Sequence, residues 1–217
     1  RLLSANVYAP GNDPARLLDL IRETQPDIVL LQEVDAQWQA FLKPIESEYL
    51  HSMYCPRYAG GGPDLALFWN GESGEARELW PEDIPGAALQ VDIDGQRVCL
   101  LNIHTAAPFT PVRARKYRQQ MKLLREYANA QTTLLILAGY LNASPWSWEY
   151  KRLIADTSLK SVRNGMGLLG TWPSFCGPFR IALDHILITS EIQVSRCWTA
   201  SGIGSDHLPL LVDLHVG

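Results

Sequence analysis

Two hydrophobic periods alternate along this chain, and the changes of period mark its elements. RLLSANVYA (1–9) reads as a first strand. Over Pro14–Thr24, Leu17, Leu18 and Ile21 fall at helical spacing behind Asp13 as N-cap and Pro14 at the first helical position, which predicts a helix. DIVLLQEV (27–34) is a short continuous apolar run, the pattern of a buried strand. A helix is expected around Ala36–Leu42. DLALFWN (64–70), ALQVDID (88–94) and RVCLLNIHT (97–105) read as strands, the last two joined into a hairpin at Asp94-Gly95. Pro111–Asn129 carries Tyr117, Met121, Leu124 and Ala128 on one face and Arg115, Arg118, Lys122 and Arg125 on the other, so it reads as an amphipathic helix. TTLLILAGY (132–140) is a buried strand, and a short helix is expected over 146–155. A Gly-rich loop with GTWPS follows, then strands at 182–189, near 193–199 and at 207–216.

Hairpin-joined strands mixed with helices predict an α/β (α+β) sandwich of mixed, mostly antiparallel sheets rather than a doubly wound parallel sheet. With 217 residues, 47% of them hydrophobic and 19% charged, the chain can form one domain over 1–217 with a substantial core. No short repeat, linker or low-complexity tract interrupts it. A net charge of −4 argues against a general basic grip on duplex nucleic acid, so any phosphate contact must come from a local patch or a metal. Cys55, Cys99, Cys176 and Cys197 form no CxxC pair and no zinc spacing. Two disulfides are compatible with an oxidising compartment; buried free thiols are the simpler reading. No apolar run is long enough to span a bilayer. The chain enters its first strand directly at Arg1, with no signal peptide. It reads as a soluble domain trimmed at its edge from a longer chain, which leaves room for an upstream leader or membrane anchor. The compartment stays open, and a monomer is expected.

The informative residues are polar ones that interrupt or end apolar strands: Asn6, Glu33, Asn102, His104, Asn142, Asp184, His185, Asp206 and His207. Each has a bland explanation. Asn6 can be a satisfied core amide, Glu33 can simply enter solvent, Asp184 and His185 can be a buried pair, and Asp206-His207 can cap a turn. Burying any one without a partner costs about 1–3 kcal/mol, so together they point to one shared polar pocket. Carboxylate and amide oxygens suit Mg²⁺ or Mn²⁺. An Asp bonded to a His orients the imidazole and stabilises its cation, and a cationic His beside a metal stabilises charge on a phosphoryl group.

In these motifs the sequence resembles the endonuclease/exonuclease/phosphatase, or DNase-I-like, superfamily, in motif order along nearly the whole chain. SANV (4–7) is similar to the first motif, which implies that Asn6 helps bind metal or phosphate. LQEV (31–34) looks like the second, making Glu33 a metal ligand, and NIHT (102–105) the third, putting His104 on the phosphate. AGYLNASP (138–145) resembles the Gly-Asp-x-Asn motif, with Asn142 on the phosphate. LDHI (183–186) implies that Asp184 orients the catalytic histidine; GSDHLP (204–209) implies His207 as that histidine, with Asp206 near the metal. The resemblance implies a four-layer αββα sandwich, two sheets face to face, and a Mg²⁺- or Mn²⁺-dependent phosphoesterase. GTWP (170–173) recurs among bacterial members; Trp172 either edges the site or packs in the core.

One position departs from the pattern. Tyr140 stands where the family has the aspartate of Gly-Asp-x-Asn, a group that positions or deprotonates the attacking water or binds a second metal. A phenol, with a pKa near ~10, is a poor base at neutral pH and offers no negative charge. Two functions follow from the resemblance: phosphoester hydrolysis, impaired at Tyr140, or a catalytically silent member that binds a phosphate-containing ligand or a partner protein. The substrate is open among DNA, RNA, lipid and sugar phosphates. The stripe Arg115, Arg118, Lys122, Arg125 suits nucleic acid or a solvated helix face. Trp38, Trp69, Trp146 and Trp148 suit an aromatic rim or core packing.

Overall fold

The computed structural model describes residues 1–8, 13–56, 63–71, 73–79 and 85–217. In chain order the elements are β1 (Leu2–Asn6), α1 (Pro14–Thr24), β2 (Ile28–Gln32), α2 (Ala36–Phe41), α3 (Lys43–Glu46), β3 (His51–Pro56), β4 (Pro63–Trp69) and β5 (Ser73–Leu79). They continue with β6 (Gly86–Ile93), β7 (Gln96–His104), α4 (Pro111–Ala130), β8 (Leu134–Tyr140), α5 (Trp148–Ala155) and β9 (Lys160–Ser161). A 3₁₀ segment at Ser174–Phe179, then β10 (Asp184–Ile188), β11 (Ile192–Thr199) and β12 (Leu210–Val216), complete the chain.

The strands form two six-stranded sheets, ordered β11-β12-β1-β2-β4-β3 and β5-β6-β7-β8-β10-β9. Only β1/β2 and β7/β8 run parallel among the described pairs, so the sheets are mixed and mostly antiparallel, as the sequence predicts. The central strands read as continuous apolar runs because both of their faces are covered. In β2, Leu30 points between the sheets toward Leu100 and Ile136, while Val29 and Leu31 point outward to Leu17, Ile21 and Trp38 of the helices. In β8, Ile136 and Ala138 point inward, and Leu135 and Leu137 meet Tyr117, Met121 and Leu124 of α4. The layers are therefore helix, sheet, sheet, helix.

Most predicted elements are present with shorter ends. The hairpin turns at Asp94 (φ 54°) and Gly95 (φ 76°), both left-handed, as a two-residue primed turn requires. The first strand stops at Asn6; Ala9 of its predicted range lies outside the described residues. Asp13 precedes α1 but makes no side-chain cap, because its carboxylate pairs with the Arg16 side chain instead (3.0 Å). Edge strands β3, β5 and β9 and the short α3 escaped the sequence pattern. The burial along β3 is mixed, so an alternation signal is weak there. The four cysteines are free thiols, three of them buried. No helix is long and apolar enough to cross a membrane among the described residues.

Candidate active site

Strand register assembles the site. His104 of β7 pairs with Tyr140 of β8, and Tyr140 pairs in turn with Asp184 of β10. Three polar side chains from distant stretches thus stand in one row at the ends of adjacent strands. One residue back, Ile103, Gly139 and His185 form the next row, facing the other way. Gly139 has φ 132°, and a Cβ there would collide with the carbonyl oxygen of Ile103. The glycine of the motif is thus required by the close approach of β7.

A cleft of about 750 Å³ opens over this row. Glu33, Asp64, His104, Tyr140, Asn142, Trp172, Asp206 and His207 all line it. Asp184 lies just behind, buried, with Oδ2 2.8 Å from His207 Nδ1. Because the carboxylate only accepts, Nδ1 carries the hydrogen, and Nε2 is left as the ring nitrogen for the cleft. Burial opposes the charge on His207, but Asp184, with Asp206 and Glu33, outweighs it and raises the imidazole above its ordinary value. Burial likewise works against ionised Asp184, and His207 and Arg163 nonetheless hold the carboxyl below the usual range. The buried Arg163 donates to the Asp184 carbonyl (2.8 Å) and the Leu169 carbonyl (3.3 Å), fixing the strand behind the pair.

A second imidazole–carboxylate pair bridges the two sheets, His104 from β7 and Asp64 from β4 of the opposite sheet. His104 Nδ1 lies 2.7 Å from Asp64 Oδ2. Its Nε2 is 3.6 Å from Glu33 Oε1, an ion-pair distance too long for a hydrogen bond. Glu33 accepts from Asn6 Nδ2 (2.8 Å) and has a left-handed backbone, φ 59°. Asn142 is left-handed too, φ 49°, with its Nδ2 donating to the Thr105 carbonyl (2.8 Å). Two strained non-glycine residues beside one cleft mark a site whose geometry the surrounding fold enforces.

Tyr140 sits between the two imidazoles. Its ring stacks on His104, 5.4 Å between centroids at 17°, and meets His207 edge-on at 4.6 Å and 74°. Burial, then the charges of Asp184, Glu33 and Asp206, push its phenol well above the ordinary value. It is a neutral hydroxyl at any working pH.

Several sequence expectations change at this point. Asn6 does not line the cleft: its Oδ1 accepts from Tyr8 N (2.9 Å) and its Nδ2 holds Glu33, so it acts through Glu33. Asn102 lies fully buried between the sheets, accepting from Gln32 (2.7 Å) and donating to the Leu31 carbonyl (3.1 Å). His185 points to the helix layer, donates Nε2 to the Ala143 carbonyl (2.7 Å) and packs on Tyr150. Burial takes it down to about 3, so it is a neutral core histidine. Trp172 lines the cleft and donates to Asp206 Oδ2 (3.0 Å). Trp38 and Trp69 are core, whereas Trp146 and Trp148 are exposed outside the cleft. In the basic stripe Arg125 is buried and paired with Glu149 (3.2 Å). The helix cations that line the cleft are Arg113 and Lys116, which the sequence reading passed over, as it did Asp64. An acid opening an apolar strand was the available signal for Asp64.

The donor set suits a hard divalent cation. Asp206 Oδ1 is buried without a hydrogen-bond partner, and Glu33 presents a carboxylate to the same cleft. Among the described residues no three His, Cys, Asp or Glu side chains form a ready-made cage. Mg²⁺ does not need one, since it takes one or two carboxylates and completes its shell with water and substrate phosphate.

The sequence and the fold both agree with known proteins. The Endonuclease/Exonuclease/phosphatase family pattern matches residues 3–207. No curated protein matches the chain. Among solved structures, an endonuclease/exonuclease/phosphatase from Beutenbergia cavernae superposes with TM-score 0.79 at 18% identity, covering 100% of this chain and 71% of that one. The human Nocturnin catalytic domain, with bound sulfate, gives TM-score 0.78 at 20% identity, covering 100% and 94%. D. rerio TDP2 complexed with a single-strand DNA product gives 0.80 at 17%, covering 99% and 98%. At these identities the superpositions establish the fold, and the family pattern spans nearly the whole sequence. The chain belongs to the endonuclease/exonuclease/phosphatase family.

Proposed function

We propose that the chain hydrolyses phosphoester bonds with a bound Mg²⁺ or Mn²⁺, at a rate held down by Tyr140. The observation that carries this reading is the buried Asp184–His207 pair, whose second ring nitrogen serves the same cleft as Glu33, Asn142 and His104. Glu33 and Asp206 would hold the cation, with Asn6 fixing the Glu33 carboxylate. When bound, the ion would neutralise phosphate charge and polarise the ester. His207, kept protonated by Asp184, donates Nε2–H to a phosphoryl oxygen and stabilises the charge that grows there. The Asn142 amide and His104 supply further hydrogen bonds to the phosphate. Tyr140 offers a neutral hydroxyl and no base, so activation of water lacks the carboxylate usual at this position.

The test is hydrolysis of bis(p-nitrophenyl) phosphate and of single- and double-stranded DNA with Mg²⁺ or Mn²⁺. The wild type should turn over slowly, and His207→Ala should lower the rate by about 10²–10⁴-fold. The neutral, ring-packed Tyr140 also supports a second reading, a silent member that binds a phosphate-containing ligand or a partner. A silent wild type beside an active Tyr140→Asp variant would favour it. If neither turns over, the hydrolytic reading fails.

A further inference from the structure

The cleft divides by charge. Its carboxylates, Glu33, Asp64 and Asp206, come from the strands and the loop before β12. The permanent cations among its described lining residues, Arg113 and Lys116, stand three apart on α4 and so share one helix face. Gln120, four residues further on, is buried and accepts from Ala106 N (2.7 Å), which docks that face against the cleft-lining segment 105–107. Both cations are exposed, and neither makes an ion pair among the described residues. Further along α4, Lys122 pairs with Glu126 at 3.5 Å and Arg125 with Glu149 at 3.2 Å. Arg115 and Arg118 are likewise without an ion pair among the described residues but lie outside the cleft, so Arg113 and Lys116 are set apart by their place on the cleft wall.

We infer that Arg113 and Lys116 form a second anion subsite, so that the substrate carries a further phosphate beside the one cleaved. This rests on the phosphoesterase reading and sharpens its substrate class. A substrate anion entering past three carboxylates meets repulsion, and two cations on one wall offset it for a ligand that reaches both. An arginine fork and a lysine point charge are the pair of side chains best suited to a phosphate dianion. The exposed Phe109 at the same edge adds an apolar platform next to the cations. The matching chemistry is a phosphoester flanked by a second phosphate, which a nucleotide chain or a multiply phosphorylated headgroup can supply.

The experiment compares kcat/KM for matched pairs: thymidine dinucleotide with and without a 5′-phosphate, and a glycerophosphoinositol with and without a ring phosphate. The wild type should prefer the doubly phosphorylated member of at least one pair by about tenfold or more. The pair that shows the preference identifies the source of the second phosphate. In Arg113→Gln/Lys116→Gln the ratio should fall to about one. Arg115→Gln, which removes a charge from the same helix outside the cleft, should keep the wild-type ratio. No preference in the wild type, or a preference that survives the double substitution, overturns the subsite. If no substrate is turned over, the phosphoesterase reading has failed by itself. The subsite is then tested by calorimetric titration of the 5′-phosphorylated dinucleotide with Mg²⁺ present. Binding lost in the double variant supports it, and equal binding overturns it.

Discussion

The Tyr140 ring meets the His207 ring edge-on, with 4.6 Å between centroids and 74° between planes. The residue at the position where the motif leads one to expect a carboxylate is therefore packed against the histidine proposed as the catalytic group. Its phenol is held neutral by burial and by the surrounding carboxylates, so it takes no proton from water. Tyr140→Phe should change kcat by less than about threefold, because the hydroxyl is no base. Tyr140→Asp should raise kcat by about 10²–10⁴-fold. Steady-state hydrolysis of bis(p-nitrophenyl) phosphate measures both.

The Asp184–His207 pair predicts a pH-dependent stability. His207 is raised from 6.5, so its contribution is complete below 6.5 and fades as pH climbs through the folded value. Asp184 is lowered from 3.8, so its contribution is complete above 3.8 and fades as pH falls through its folded value. Both are complete between 3.8 and 6.5. Urea unfolding in EDTA should show His207→Gln most destabilised relative to wild type near pH 5.5, with the gap narrowing by pH 9. A gap independent of pH would contradict the pair's charge.

Gly139 should not tolerate a side chain. Its φ of 132° disfavours any other residue, and the β7 backbone occupies the space a Cβ needs. Gly139→Ala should cost about 2–6 kcal/mol, the sum of backbone strain and overpacking. Chemical denaturation reads this directly, and a loss below about 1 kcal/mol would show that β7 and β8 can separate.

Arg163 holds the backbone behind Asp184 through two carbonyls, with its Nη1 left without a partner. Arg163→Met removes those bonds at a cost of about 1.5–3 kcal/mol. Because the guanidinium also helps keep Asp184 ionised, the His207 imidazole shift followed by NMR should move as well. A purely structural role would leave that titration unchanged.

Cation binding has its own readout. Mn²⁺ should raise the wild-type melting temperature as any ligand of the folded state does. Glu33→Gln should reduce that rise. Glu149→Gln, on α5 outside the cleft, should leave the rise in place even if it lowers the baseline through Arg125.

Much of this was legible in the chain. The continuous apolar runs at 28–32 and 134–140 fixed two central strands, since only a strand covered on both faces has use for so many branched residues in succession. Asp94-Gly95 fixed a hairpin because few other dipeptides accept two left-handed residues. Glu33, Asn142, Asp184, Asp206 and His207 stood out as polar groups on apolar strands, which must converge to be satisfied.

Convergence itself has no local signature. Asn102 and His104 are two apart on one strand and point to the same side, yet one plugs the gap between the sheets and the other reaches the cleft, because His104 lies at the strand end. Asp184 and His185 are adjacent, and the alternation of a strand sends one to His207 and the other to the helix layer. Asp64 joined the site only through its contact with His104, 40 residues away, and Arg113 and Lys116 only through the way α4 docks. The sequence determined which residues form strands and helices and which side chains had to be satisfied, because propensity and burial act over a few neighbours. Only the tertiary structure decided which of those side chains meet, because partners across sheets are chosen by register and packing, and neither is written in any single stretch of chain.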